Sequence, residues 1–269
     1  MTVVLSGIGC DTTNAGRVAP YGGGAFEYVP IPEKTRATDE LHTYGSWELR
    51  HHDGVAADLL SAITPDPAAG VTHADDATIR SWPLHRDPNF EAMTYGEHDR
   101  GSYVDRLLSL DPGDVVGFYA GLDDGERVHR YLIGYFTVDQ VVDLPADASR
   151  ERIAEAFEHH PENAHAKRAV GGHRYYADEH VVLVDGTDPG GLFERDPIRL
   201  SEYYVAEGNE RPQYYLSETA RERFSIVEGR SNMQFKPAYL STLSGSAFVD
   251  EVGVPGDRSI QSATPSQSG

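Results

Sequence analysis

After a turn made by Asp111, Pro112, Gly113 and Asp114, the chain runs apolar from Val115 to Ala120, and β-branched and aromatic residues in so short a run predict a buried strand. Residues 122–128 are polar and carry the Asp124-Gly125 turn signal. Residues 131–142 are a second apolar, aromatic run, interrupted at Gly134, where a strand can bulge. The pair forms a hairpin. An isolated hairpin is marginal in water, so the flanking chain has to supply further strands and a covering helix.

The same patterns predict strands at 2–6 and 26–31, the latter closed by Pro30 and Pro32. Tyr103, Val104, Leu107 and Leu108 recur at helical spacing and predict a helix over 99–110. Ser149 caps a second helix to 159 with Ile153, Ala156 and Phe157 as its apolar stripe. A strand at 181–184, a strand or helix entry at 197–204 and a helix from Ser217 to 224 follow. Residues 7–24 are a Gly-, Asn- and Thr-rich loop, either a phosphate cradle or plain surface. Residues 33–101 are polar, with a short strand at 47–49, a short helix at 55–63 and much loop. The Gly, Pro, Ser and Gln content near the end leaves little to bury. These elements predict one α+β domain over 1–250 and a disordered tail over 251–269. The sheet, mixed or antiparallel, is expected to curl into a partial barrel with three or four short helices.

Composition narrows the picture. No apolar run approaches the roughly 20 residues of a membrane helix, and the first residues lack a basic leader, so no membrane partner is expected. Cys10 is the single cysteine, which excludes an internal disulfide and fits a reducing cytoplasm. The formal net charge is −20, with acidic residues spread along the chain and three lysines against twenty arginines. Spread negative charge is tolerated where salt screens it, so the sequence reads as halophilic, and local basic clusters say more than the total.

One such cluster lies between His159 and Tyr176. His160, Asn163, His165, Lys167 and Arg168 precede Gly171-Gly172 and the rings Tyr175 and Tyr176. Cations, a pliant backbone and stacking rings suit a phosphate and an unstacked base, while a loop leading into a strand with core tyrosines has the same composition. Histidines 51, 52, 73, 85 and 98 lie among aspartates without a metal-ligand spacing, so solvated loop histidines are expected and no metal ligand is assigned.

Several segments together resemble the nucleotide modification associated domain 3 family: Leu5-Ser6 with Gly9-x-Asp11, Val29-Pro30-Ile31-Pro32, His85-x-Asp87-Pro88, Gly113-Asp114 before its strand, Ile133-Gly134-Tyr135, the stretch from His160-Pro161 to His165, and Ile198-x-Leu200-Ser201. The central hairpin also resembles PUA-like and EVE-like barrels. Basic residues are expected after Leu5-Ser6, where this chain has Gly7-Ile8, which leaves a phosphate contact by that loop open. The resemblance implies recognition or processing of a modified base in DNA. His165 is expected in catalysis with the carboxylates Asp11 and Asp87. His160, Asn163, Lys167 and Arg168 are expected on phosphate, and Tyr175 or Tyr176 on the base. No cofactor is specified. A non-catalytic reader and a protein-interaction domain are the alternatives. Convergence of Asp11, Asp87 and the 160–168 stretch on one pocket would favour an enzyme.

Overall fold

The computed structural model describes residues 2–98, 101–169 and 179–256. The first third holds β1 (Val3–Ile8), β2 (Ala19–Gly22), β3 (Ala25–Phe26), β4 (Ile31–Pro32), α1 (Ala56–Leu59), β5 (Ile63–Asp66), β6 (Val71–His73), α2 (Asp76–Ser81), β7 (Leu84–His85) and β8 (Thr94–His98). The middle holds α3 (Gly101–Leu107), β9 (Val115–Asp123), β10 (Val128–Leu144), α4 (Arg150–His159) and α5 (Ala164–Arg168). The rest is β11 (Val181–Leu192), β12 (Ile198–Arg199), β13 (Ser201–Tyr204), β14 (Gln213–Leu216), α6 (Glu218–Arg223), β15 (Ile226–Glu228), β16 (Tyr239–Ser241) and α7 (Gly245–Val252).

The expected hairpin is β9 and β10, antiparallel from Val128↔Asp123 to Thr137↔Val115, with a register shift between Leu132 and Gly134 where the glycine predicts one. It sits in the middle of a ten-stranded sheet ordered β15-β16-β1-β9-β10-β11-β8, with β2, β3 and β12 beside that path. β1 and β2 run parallel to β9, and the other pairings are antiparallel, so the sheet is mixed. Val3, Val4 and Leu5 of β1 and Val115, Val116 and Phe118 of β9 are fully buried, as interior strands covered on both faces require. α3 lays Tyr103, Val104 and Leu107 against this core, and the stripe of α4 packs on a smaller cluster of Leu144, Val181 and Leu183.

Several expectations change. Among the described residues no barrel closes, and the sheet remains open-ended in β15 and β8. The described residues hold seven helices where three or four were expected. The four expected helices are present, and α2, α5 and α7 are added, each with a side-chain N-cap (Asp75, Asn163 and Ser244). The strand expected at 26–31 is split into β3 and β4, and the helix expected at 55–63 shrinks to α1. Residues 33–98 are far more than loop: Tyr44, Trp82 and His85 are buried, and the Trp82 indole donates to the Glu33 carbonyl at 2.8 Å. Chain order continues past 250. Val252 is buried, and the Glu194 N–H donates to the Pro255 carbonyl at 3.1 Å.

Candidate active site

Seven stretches of chain surround one cleft of about 640 Å³, one of them β5 and its continuation with Thr64, Pro65 and Pro67. The loop after β1 brings Asp11, the residues after β4 bring Lys34, and β7 with its continuation brings His85 and Asp87. β8 brings His98, α5 brings His165 and Arg168, and the turn before β16 brings Phe235 and Lys236. A larger hollow of about 750 Å³ beside α3 offers Arg106 and Glu228 but no histidine among its walls.

His165 is positioned from two sides. Asn163 caps α5 by accepting the His165 N–H at 2.9 Å, and its amide donates to Thr94 Oγ1 at 2.9 Å, which ties the helix start to β8. Gly96 on β8 makes room for the ring, since a Cβ there would lie 2.3 Å from His165 Cδ2. The Gly96 N–H also donates to Asp87 Oδ1 at 2.8 Å, leaving Asp87 Oδ2 3.5 Å from His165 Nε2. His85, paired in β7 with Ile31, places its ring 5.1 Å from that of His165. Its Nδ1 lies 3.0 Å from Glu33 Oε2 and 3.0 Å from Arg168 Nη2. Arg168 Nε donates to Glu33 Oε1 at 2.5 Å, closing a buried triad.

Burial sets the charge state of this group. It pushes His165 down to about 3, with the Arg168 charge acting in the same direction. Burial and Arg168 also lower His85, and burial followed by the neighbouring His165 takes His98 to about 3. The Asp87 carboxyl moves the other way, up to about 7, because burial outweighs the help of His85 and the Gly96 N–H. Burial raises Glu33 too, yet its contacts with His85 and Arg168 bring it down to about 2. Arg168, which cannot lose its charge, keeps that carboxylate ionised. The cleft therefore presents neutral imidazoles beside a carboxyl that titrates near neutrality, a set able to move protons or to bind a cation.

Two lysines also line the cleft, one of them in an ion pair. Lys236 Nζ donates to the Gly9 carbonyl at 2.6 Å and pairs with Asp11 Oδ2 at 3.0 Å. Gly7 admits this lysine, because a Cβ at position 7 would lie 2.3 Å from Lys236 Cβ. The basic group expected just after Ser6 is thus supplied by a segment more than two hundred residues away. Lys34 is exposed, and Phe235 stands 77% exposed at the rim.

Of the residues singled out from sequence, Asp11, Asp87, His165 and Arg168 line this cleft together. Arg168 is buried on Glu33 rather than open to a phosphate. Three others lie outside its walls. Asn163 is the buried cap of α5, Lys167 is ion-paired to Glu40 at 3.1 Å and Glu162 at 2.8 Å, and His160 Nε2 meets Asp185 at 2.9 Å. Tyr175 and Tyr176 fall outside the described residues. Sequence reasoning missed His85, Glu33, Lys34, Phe235 and Lys236. One signal was available: in a chain with three lysines, two line one cleft. His85, expected as a solvated loop histidine, is buried.

The sequence model of the nucleotide modification associated domain 3 family matches residues 2–251 of the chain. No curated protein and no solved structure matches.

Proposed function

Because the chain belongs to the nucleotide modification associated domain 3 family, we propose that it processes a modified base of DNA, with the nucleotide held in the cleft that His165 and Asp87 share with Lys34 and Lys236. The observation that carries this reading is the meeting of a buried His–Asp pair, 3.5 Å apart, with two of the three lysines of a strongly acidic chain. A nucleotide needs both kinds of group, cations for phosphate and acid–base groups at the reacting atom.

The roles follow from the surroundings. Lys34 is exposed and suits a phosphate oxygen. Phe235, exposed at the rim, offers the ring on which a base stacks, the part first assigned to Tyr175 and Tyr176. Asp87, its carboxyl raised to about 7, and the neutral His165 ring 3.5 Å away stand at the reacting end of the nucleotide. Asp11 holds the Lys236 ammonium in place, and Arg168 with Glu33 fixes His85. Asn163 and Lys167 support the site by anchoring α5.

A modified-base reader without chemistry is the second reading, favoured by the exposed Phe235. Mass spectrometry of nucleosides separates the two. A strain lacking the protein should show a changed modified-nucleoside profile that wild-type protein restores and the His165→Asn variant does not. Restoration by His165→Asn would favour the reader. An unchanged profile in the deletion strain would overturn processing.

A further inference from the structure

We propose that His85, Asp87 and His165 bind a divalent transition-metal ion in this cleft. Each offers one ligand atom, and the three atoms lie within 4.8 Å of one another. Ligands about 2.1 Å from an ion and roughly at right or tetrahedral angles are about 3.0–3.4 Å apart. The 3.5 Å between His165 Nε2 and Asp87 Oδ2 is close to that, and closing a gap of 4.8 Å takes side-chain shifts totalling about 1.4–1.8 Å on the same geometry. All three side chains line the cleft, so ligand positions left open by three protein donors face the substrate space.

The surroundings are those of a ligand set. With the His85 proton on Nδ1, that nitrogen donates to Glu33 Oε2 at 3.0 Å and leaves Nε2 for the ion, and an outer carboxylate of this kind fixes ring orientation and basicity. The charge of Glu33 is itself matched by Arg168. The Gly96 N–H holds the second oxygen of Asp87. Two imidazoles and one carboxylate suit Fe(II), Mn(II), Co(II) or Zn(II) better than the all-oxygen preferences of Mg(II) or Ca(II). Beside Lys34 and Lys236, such an ion would draw a phosphate or base oxygen toward His165.

This inference deepens the nucleotide reading and rests on it for the use of the ion, whereas metal uptake can be measured with no nucleotide present. The full-length chain is stripped with a chelator, equilibrated with Zn(II), Mn(II), Fe(II) or Co(II) singly, passed through a desalting column and analysed for metal. About one ion per chain is expected from at least one of the four, in line with a single three-donor site. His85→Gln, Asp87→Asn and His165→Gln should lose it, and Glu33→Gln should weaken it by about 10–100-fold. Lys34→Ala and Phe235→Ala should keep it, even if nucleotide binding fails. Substoichiometric metal from all four ions overturns the proposal, as does wild-type uptake by the folded ligand variants. Where a ligand variant unfolds by circular dichroism, the Co(II) spectrum of the wild-type chain decides. Bands of nitrogen and oxygen coordination support the site, and the spectrum of the aquo ion overturns it.

Discussion

Lys34 and Phe235 stand at the mouth of the same cleft with different physics. A lysine that neutralises a phosphate displaces counterions, so Lys34→Ala should weaken oligonucleotide binding at low salt and flatten its dependence on salt by about 0.7–0.9 in logarithmic slope. Phe235→Ala removes a stacking face. It should cost about 1–3 kcal/mol of binding and leave the slope alone. Fluorescence titration of both variants across a salt series reads the two signatures, and equal slopes for Lys34→Ala and wild type would remove Lys34 from the phosphate site. Asp11 adds a pH signature. Burial raises its carboxyl, but the Lys236 charge and hydrogen bond more than offset this, and its pKa ends below the ordinary value. A carboxyl lowered on folding contributes stability above the ordinary carboxylate range and loses it as pH falls through the lowered value. Asp11→Asn should therefore lower Tm near neutral pH, with the deficit shrinking in acid. A deficit independent of pH between ~3 and ~7 would show that the pair does not act through charge.

α5 is five residues long, yet it delivers His165 and Arg168 to the cleft. So short a segment is marginal as an isolated helix and owes its form to tertiary contacts. Its cap is the accessible lever. Asn163→Ala removes both the bond to the His165 N–H and the bond to Thr94. A loss of about 1–2 kcal/mol is expected in denaturant titration, with weaker nucleotide binding because His165 loses its aim at Asp87. Unchanged stability and binding in that variant would mean that α5 is held without its cap. The 160–168 stretch stood out in sequence for its chemistry, and three of its five candidate residues prove to be architecture: His160 and Lys167 are tied to acidic neighbours, and Asn163 is a buried cap. Composition cannot separate a cation that serves a ligand from one that serves a carboxylate, because both use the same side chain.

The net charge of −20 belongs to the whole chain. Its acidic residues are spread along the chain rather than gathered in one tail, so screening by salt bears on the whole fold. Without screening, spread like charges repel over about 10 Å at ~0.1 M salt and about 30 Å at ~0.01 M. The far-ultraviolet circular dichroism of a helix- and strand-rich fold should therefore be lost on dialysis from molar to millimolar salt. An unchanged spectrum would show that the fold does not depend on screening of its charge.

Local pattern determined the hairpin of β9 and β10, its bulge near Gly134, the helices capped by Ser149 and Ser217, and the family to which the chain belongs. These depend on neighbours in sequence, where period, turn chemistry and caps act. The parallel pairing of β1 with β9 spans more than a hundred residues, and no periodicity within either strand specifies its partner. The cleft is decided the same way. Glu33, His85 and Arg168 meet across separations of 52 and 83 residues, and Lys236 reaches Gly9 across 227. Gly7 and Gly96, unremarkable in a glycine-rich sequence, are the positions where a missing side chain lets Lys236 and His165 in. Such vacancies acquire meaning only when the chain has folded, because what fills them comes from elsewhere.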